Sequence, residues 1–531
     1  MLESNTSFAQ EALNETSSSS NFSIDIITVT ARKREENLQD TPLSITAHTA
    51  QSLSDRQIDS STELARITPN LTFDTHAPAS GHNSASQVFI RGIGQTDFQA
   101  LTDPGVGVYI DGVYHARTLG SVIDFMDLER IEILRGPQGT LFGRNTIGGA
   151  ISLISKKPSD EFEGSGKVTV GADRRIDTTI SANLPLTDSM AVRFSGGTRN
   201  RDGYVTRLVD GQKVGDDNTK HLKTNFLWKP KENLEISVIG DYTKEDENGA
   251  PTVFAAIGTG ASNSFGRIAS AQAGCTLLLP NNAGVGEGND LNCANNQWYA
   301  GPYSSNGTFP IKSQLETWGL AGTITYQTDQ LTFKSITSYR SLTAQSARDA
   351  DNTPLRVLHT TFDTDDAQFS QEFQLGGTAL NNKLNWVSGL YYFNQSAEDI
   401  MDVFLPVGDF RLAGPVDVKS HAAFFQATYD ITQKLALTAG LRYTEETKFY
   451  TPDSYTLSSY SYPGNANGSF NPGGSDAALL PSNAIVSGAL VTLLPNTPFV
   501  PKVRQQNSAK KLTPLINLAY KINQDFMIYA N

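Results

Sequence analysis

The side chains that most often carry chemistry are sparse in this chain, and their spacing assembles no reaction. Glu445-Glu446 and Asp365-Asp366 are paired carboxylates, the kind a glycosidase needs. On a strand, however, adjacent residues face opposite ways, so neither pair can flank one bond. Gly92-Ile93-Gly94 lacks the third glycine and the following helix of a dinucleotide site. Nothing matches a nucleophile elbow, a P-loop or a zincin helix. The seven histidines are scattered. His76 and His82 are close enough in sequence to suggest a shared metal ion, but their polar surroundings read as a solvated loop. No catalytic residue, metal or covalently bound cofactor is expected. Cys275 and Cys293, both in one Gly/Asn-rich stretch, are expected to form a disulfide in an oxidising compartment.

Composition narrows the classes further. The chain carries 42 Lys+Arg against 55 Asp+Glu, a net charge of −13, which argues against a nucleic-acid partner. Its 531 residues are 38% hydrophobic and 18% charged, with 26 Phe, 18 Tyr and 4 Trp. That is too aromatic for a disordered chain. No run approaches the ~18 apolar residues of a membrane-spanning helix. A transmembrane β-barrel stays open, because alternating strands average out as polar, in line with a mean hydropathy of −0.31.

The elements that position these residues fall into two parts. Residues 1–23 are polar and Ser-rich and read as a flexible leader, in which Ser7-Phe8-Ala9 before Gln10 is similar to a signal-cleavage site. A β-prone run follows: Asp25, Ile26, Ile27, Thr28, Val29, Thr30 and Ala31. Such a strand can dock on its own domain or add to the sheet edge of a partner. Residues 38–158 read as a small α+β domain. Two short helices are expected between 49 and 67, the second opened by a Ser60/Glu63 capping box. Four short strands follow, around 87–90, 107–110, 130–134 and 150–154, separated by Gly-rich turns.

Those turns carry a resemblance. Asp127-Leu128-Glu129-Arg130-Ile131-Glu132-Ile133-Leu134-Arg135-Gly136-Pro137-Gln138-Gly139-Thr140-Leu141-Phe142-Gly143-Arg144-Asn145, running on to Gly148-Gly149, resembles the plug signature of TonB-dependent outer-membrane receptors. Phe89-Ile90-Arg91-Gly92 and Tyr109-Ile110-Asp111-Gly112-Val113 resemble two further plug motifs. By the same resemblance residues 24–37 hold the TonB box and a linker, with the box at 25–31.

From 162 to 531 the pattern changes to alternating segments. Ile176, Ile180 and Leu184 share one face, and Asp177, Ser181 and Asn183 the other. Leu435, Leu437, Leu441 and Tyr443 likewise oppose Thr438, Arg442 and Thr444. In water the apolar face would need a covering layer, and no helical segment supplies one. An antiparallel barrel with lipid outside and a wet lumen solves this. Trp228, Tyr242, Tyr326, Tyr339, Tyr391, Tyr392, Tyr429 and Tyr443 are then expected in interfacial girdles. Short turns mark the periplasmic rim, and the long loops 243–312 and 448–507 the extracellular one. About thirteen strands are countable, whereas plugged transporters have about 22. The resemblance therefore implies a partial, C-terminally incomplete all-β transmembrane barrel with an α+β plug in its lumen.

The resemblance implies TonB-energised uptake of a scarce nutrient across the Gram-negative outer membrane. Its partners would be TonB with the inner-membrane energising complex, outer-membrane lipid, and a siderophore-like ligand, most simply an iron chelate. Cobalamin, a sugar or an aromatic compound is an alternative cargo. A passive porin or adhesin barrel would lack the plug motifs. Arg91 and Arg135 are expected at the plug–barrel boundary, paired with Glu372 and Glu445.

Overall fold

The computed structural model describes residues 27–75, 80–120, 127–256, 298–463, 485–487, 490–523 and 526–531. The leader, Asp25, Ile26, His76 and both cysteines lie outside the described residues, and with them the expected disulfide.

Long apolar runs give the N-terminal part a sheet buried on both faces. Its five strands are ordered Ile45–Thr49, Leu128–Arg135, Gly149–Ser155, Val106–Ile110 and Val113–His115. Gly149–Ser155 and Val106–Ile110 run parallel, and the other neighbours antiparallel. Ile131, Ile133, Ile151 and Leu153 pack there with Leu53, Leu64, Leu71 and Ile90. The α-helix Ala50–Asp55 starts at Thr49, whose side chain accepts from the Ser52 N–H at 3.2 Å. Ser61–Arg66 is a 3-10 helix, and its expected capping box forms only in altered form. Ser60 makes no side-chain cap, and the Glu63 carboxylate accepts from the Asp59 N–H at 2.9 Å. The tighter 3-10 winding carries Glu63 one residue past its intended partner. His82 departs from expectation too: it is fully buried, edge-on to Phe362 with ring centroids 6.2 Å apart.

Residues 163–530 build one antiparallel wall of 14 strands. Thirteen follow in chain order from Glu163–Gly171 to Met527–Ala530, and the short Tyr455–Thr456 strand pairs off the path on Gly408–Asp430. Its long members include Lys312–Gln327, Leu331–Asp349, His359–Ala379, Leu384–Leu405, Gly408–Asp430 and Leu435–Tyr450. Period-two alternation sorts each strand. Along His359–Ala379, Thr364, Asp366, Gln368, Ser370, Glu372 and Gln374 are buried on the inner face, while Phe373 and Leu375 are exposed on the outer. The outer face carries an apolar band, including Ile324, Leu390, Phe425, Leu441 and Ile516. A water-soluble protein would not expose so continuous a band.

The wall wraps the N-terminal domain. Phe393, Val416 and Val418 of the wall cluster with Tyr109, Tyr114, Leu134 and Ala150. Leu315, Leu342 and Phe362 do the same with Ala85, Phe98 and Leu119. Two expectations fail on parity. Tyr391 follows the outward-facing Leu390 by one residue, so it points inward, where its ring lies 5.7 Å from the Arg442 guanidinium. Glu445 shares the face of Leu441 and Tyr443, so it points outward, 3.0 Å from Lys510.

Candidate functional site

The N-terminal domain spans the lumen from one rim of the wall to the other. At the short-turn rim sits the segment that contains the predicted TonB box. Thr28–Val29 pairs antiparallel with Glu36–Asn37, closing a small hairpin. Val29 and Ala31 are buried. Glu132, on the inner strand Leu128–Arg135, fixes the segment. One of its carboxylate oxygens accepts from the Thr30 N–H at 2.8 Å, the Thr30 hydroxyl at 3.1 Å and Arg130 Nε at 2.9 Å. Arg32 binds Glu36 through two bonds of 2.6 Å and donates to Thr428 and Thr438 of the wall at 3.3 and 3.4 Å. Lys33 Nζ lies 3.2 Å from Glu372 and above the Phe142 ring.

At the long-loop rim the domain presents the turns 95–104 and 141–146. The Ala100 N–H donates to Asp399 at 2.5 Å. Arg144 lies 3.0 Å from Asp103 and 3.4 Å from Glu446, with its guanidinium over the Phe393 ring. Asn145 donates to the Tyr114 hydroxyl at 2.7 Å. Gly143 holds φ at +87°, and a Cβ there would come within 2.5 Å of the Arg442 guanidinium, so only glycine lets that turn approach the wall.

Between the rims the contact is largely polar. Asp111, beside Gly112, accepts from Ser155 N at 2.8 Å and from Lys223 Nζ of the wall at 2.9 Å. Arg193 of the wall holds Asp127 in a bidentate pair at 2.5 Å. Arg117 reaches Asp366 and Asp399, both at 3.7 Å. Gln368 donates to Tyr114 O and accepts from Ala116 N. A cavity of 420 Å³ is lined by Ile110 and His115 of the plug side and by Asp217 and Arg340 of the wall, and beside it Asn83 donates to Glu247 at 2.5 Å. Burial, reinforced by Arg340 and Lys223, holds the His115 imidazole neutral, well below its usual range.

The expected ion pairs do not form. Arg91 and Gly92 make a left-handed turn, φ +55° and +76°. That turn lays the Arg91 side chain along the domain toward Gly136, where it donates to the Ser44 hydroxyl at 2.9 Å. Arg135 Nε is buried without a partner. Among the described residues neither guanidinium lies within 4.0 Å of a carboxylate. Glu372 does point inward, but it meets Lys33, and Glu445 faces away. Pro137 and Gly139 continue the turn after Gly136, with Gly139 against Thr513 of the wall. Gly148 and Gly149 pack where any Cβ would strike Ile93 O or Leu134 O. The residues that do bridge the two parts were missed: Lys33, Arg117, Arg193, Lys223, Asp366 and Asp399. Inner-face parity was the signal that could have found the wall members, since each alternates with outward-facing neighbours.

Two family descriptions match the chain: the TonB-dependent receptor plug domain over residues 37–150, and the TonB-dependent receptor-like β-barrel over 276–531. The ferrichrome outer membrane transporter/phage receptor of Escherichia coli is 26% identical over 226 residues, 41% of this chain and 28% of that protein. The ferrioxamine B receptor of Salmonella typhimurium is 25% identical over 237 residues, 44% of this chain and 31% of that one. The chain thus aligns with about a third or less of these relatives. Among solved structures, the ferric yersiniabactin uptake receptor of Yersinia pestis superposes with a TM-score of 0.67 at 16% identity, covering 92% of this chain and 64% of that one. The unliganded ferric citrate transporter FecA gives 0.62 at 11% identity, covering 95% and 64%. With a plug seated in an antiparallel wall and both parts matched by family, the chain belongs to the TonB-dependent receptors of the Gram-negative outer membrane.

Proposed function

We propose that this chain serves TonB-energised uptake of a ferric siderophore. In this reading residues 24–37 couple to TonB, 38–158 are the plug and 162–531 the barrel wall. One observation carries it: the plug joins a strand-competent segment at the short-turn rim to a polar and aromatic apex at the long-loop rim. The named relatives, receptors or transporters for ferrichrome and ferrioxamine B, support an iron chelate as cargo.

The ligand is captured at the apex by Arg144 and the loop around Ala100. TonB, driven by its inner-membrane complex, takes residues 25–31 as an added strand. Because Thr28–Val29 already pairs with Glu36–Asn37, TonB displaces that hairpin strand or uses the opposite edge. Pulling breaks the Thr30–Glu132 contact first, since it lies directly in line with the segment. The polar plug–wall boundary then exchanges its hydrogen bonds with water as the plug shifts. No step makes or breaks a covalent bond.

Proline at Ile27 or Val29 fixes φ and removes a backbone N–H donor, so it spoils strand addition without touching the apex. Cells expressing the receptor with Ile27→Pro or Val29→Pro should bind ferric siderophore at the surface yet lose iron uptake. Uptake equal to wild type in both variants refutes the coupling role. Normal energised uptake of a different nutrient, with no siderophore bound, refutes the cargo instead.

A further inference from the structure

We infer that Asp349, Asp351 and His359 form a resident site for a divalent transition-metal ion of the zinc class, on the extracellular rim and separate from any transported chelate. Asp349 and His359 face each other as cross-strand partners at the ends of Leu331–Asp349 and His359–Ala379. Asp351 is in the loop that joins them. One ligand atom from each residue lies within 4.8 Å of the other two.

The imidazole supplies the decisive observation. His359 is 4% exposed, and its Nε2 has no hydrogen-bond partner. That nitrogen points at Asp349 Oδ2, 3.6 Å away, and Asp351 Oδ2, 3.5 Å away. Both separations are too long for a good hydrogen bond. They fit two donors sharing one ion: ligand atoms about 2.1 Å from a tetrahedral metal stand about 3.4 Å apart. Two carboxylates, one imidazole and a fourth position left to water suit zinc and its neighbours, whereas calcium or magnesium would favour oxygen donors alone.

Backbone N–H groups fix both carboxylates, on the Oδ1 atoms and also on the Oδ2 atoms that face His359, so an ion would share those Oδ2 oxygens with N–H donors. Asp349 accepts from the Thr308 and Phe309 N–H groups at 2.8 and 3.0 Å, and from Asn352 N at 2.8 Å. Asp351 accepts from Thr353, Val357 and Leu358 N–H groups at 2.9, 3.1 and 2.7 Å, and from the Thr353 hydroxyl at 2.6 Å. Phe309 stacks on the imidazole, with centroids 4.6 Å apart, and fixes the ring plane. An ion here would clip the loop at 350–358 to the separate loop at 305–309.

The test uses the purified receptor in detergent, stripped with a chelator, equilibrated with Zn2+ alone and desalted before elemental analysis. Wild type should retain one ion per chain. His359→Gln and Asp351→Asn should each weaken binding by more than about 10-fold. Asp365→Asn, exposed on the outer face of the same strand, should retain the ion. Substituted Co2+ should show the intense visible absorption of a tetrahedral site in wild type and lose it in His359→Gln. No retained ion in wild type overturns the inference and leaves His359 as a buried side chain beside two aspartates. Equal binding in wild type and the site variants overturns it as well, whether or not a variant folds less well.

Discussion

At the scale of single residues, Glu132 does the most with the fewest atoms. It is nearly fully buried, and one oxygen gathers Arg130 and both donors of Thr30. Removing the Glu132 charge leaves Arg130 paired with Glu129 alone and weakens the acceptor that holds both Thr30 donors. Glu132→Gln keeps the volume and removes the charge. The segment should then spend more time undocked, exposing the Arg32-Lys33-Arg34 run to protease. Limited trypsin digestion of the folded receptor, without TonB, should cleave that run faster in Glu132→Gln than in wild type. Equal rates would mean that the Arg32–Glu36 and Lys33–Glu372 pairs hold the segment without Glu132.

At the scale of elements, the strands were the legible part and the long-range partners were not. The strands expected near 87–90, 107–110, 130–134 and 150–154 appear as Gln87–Ile90, Val106–Ile110, Leu128–Arg135 and Gly149–Ser155, because apolar runs bounded by glycine turns dictate them locally. The alternating faces of the wall were legible for the same reason. Glu445 and Tyr391 were placed on the wrong faces although parity was available, since each follows or precedes a residue already assigned. The Arg91 and Arg135 pairs failed differently: which carboxylate a plug arginine meets depends on a left-handed turn and on where Lys33 lands, neither of which has a local signature. His82 shows the same limit, as nothing near it in sequence announces Phe362. Its burial carries a pH consequence. With no partner on either nitrogen, desolvation lowers its pKa to about 3, against an ordinary 6.5. Above the ordinary value both folded and unfolded states are neutral there. As pH falls below about 6.5 the unfolded chain binds the proton first, so folded stability drops until the folded group also titrates. His82→Leu should therefore flatten the acid side of the melting-temperature profile between about pH 6.5 and 4. An unchanged slope would show that His82 reaches water or a partner in the folded protein.

At the scale of the whole molecule, one sheet separates two solvents. Its inner face meets a polar plug through Lys223, Arg193 and Gln368, and its outer face carries the apolar band. The band has edges, and the strand Leu384–Leu405 crosses one of them. Its outward residues run Trp386, Ser388, Leu390, Tyr392, Asn394, Ser396 and Glu398. Leu390 is 60% exposed and lies level with Phe373 and Ala423 of the neighbouring strands. Ser396 is on the same face six residues on, about 20 Å along the strand at ~3.3 Å per residue, and donates to Asp417 at 3.1 Å. A tilted strand crosses a hydrocarbon band about 25 Å tall, so the first position sits in lipid and the second in the wet rim. Arginine at the two sites should then behave oppositely. Leu390→Arg should cost about 2–4 kcal/mol of barrel stability in lipid, the penalty for a charge near the bilayer midplane. Ser396→Arg should be close to neutral, because water and Asp417 both receive the guanidinium. Denaturant unfolding of the receptor reconstituted in phosphatidylcholine vesicles measures both. Equal costs at the two sites would mean that the outer face does not cross a lipid boundary between them, and the assignment of the apolar band to the membrane would fail.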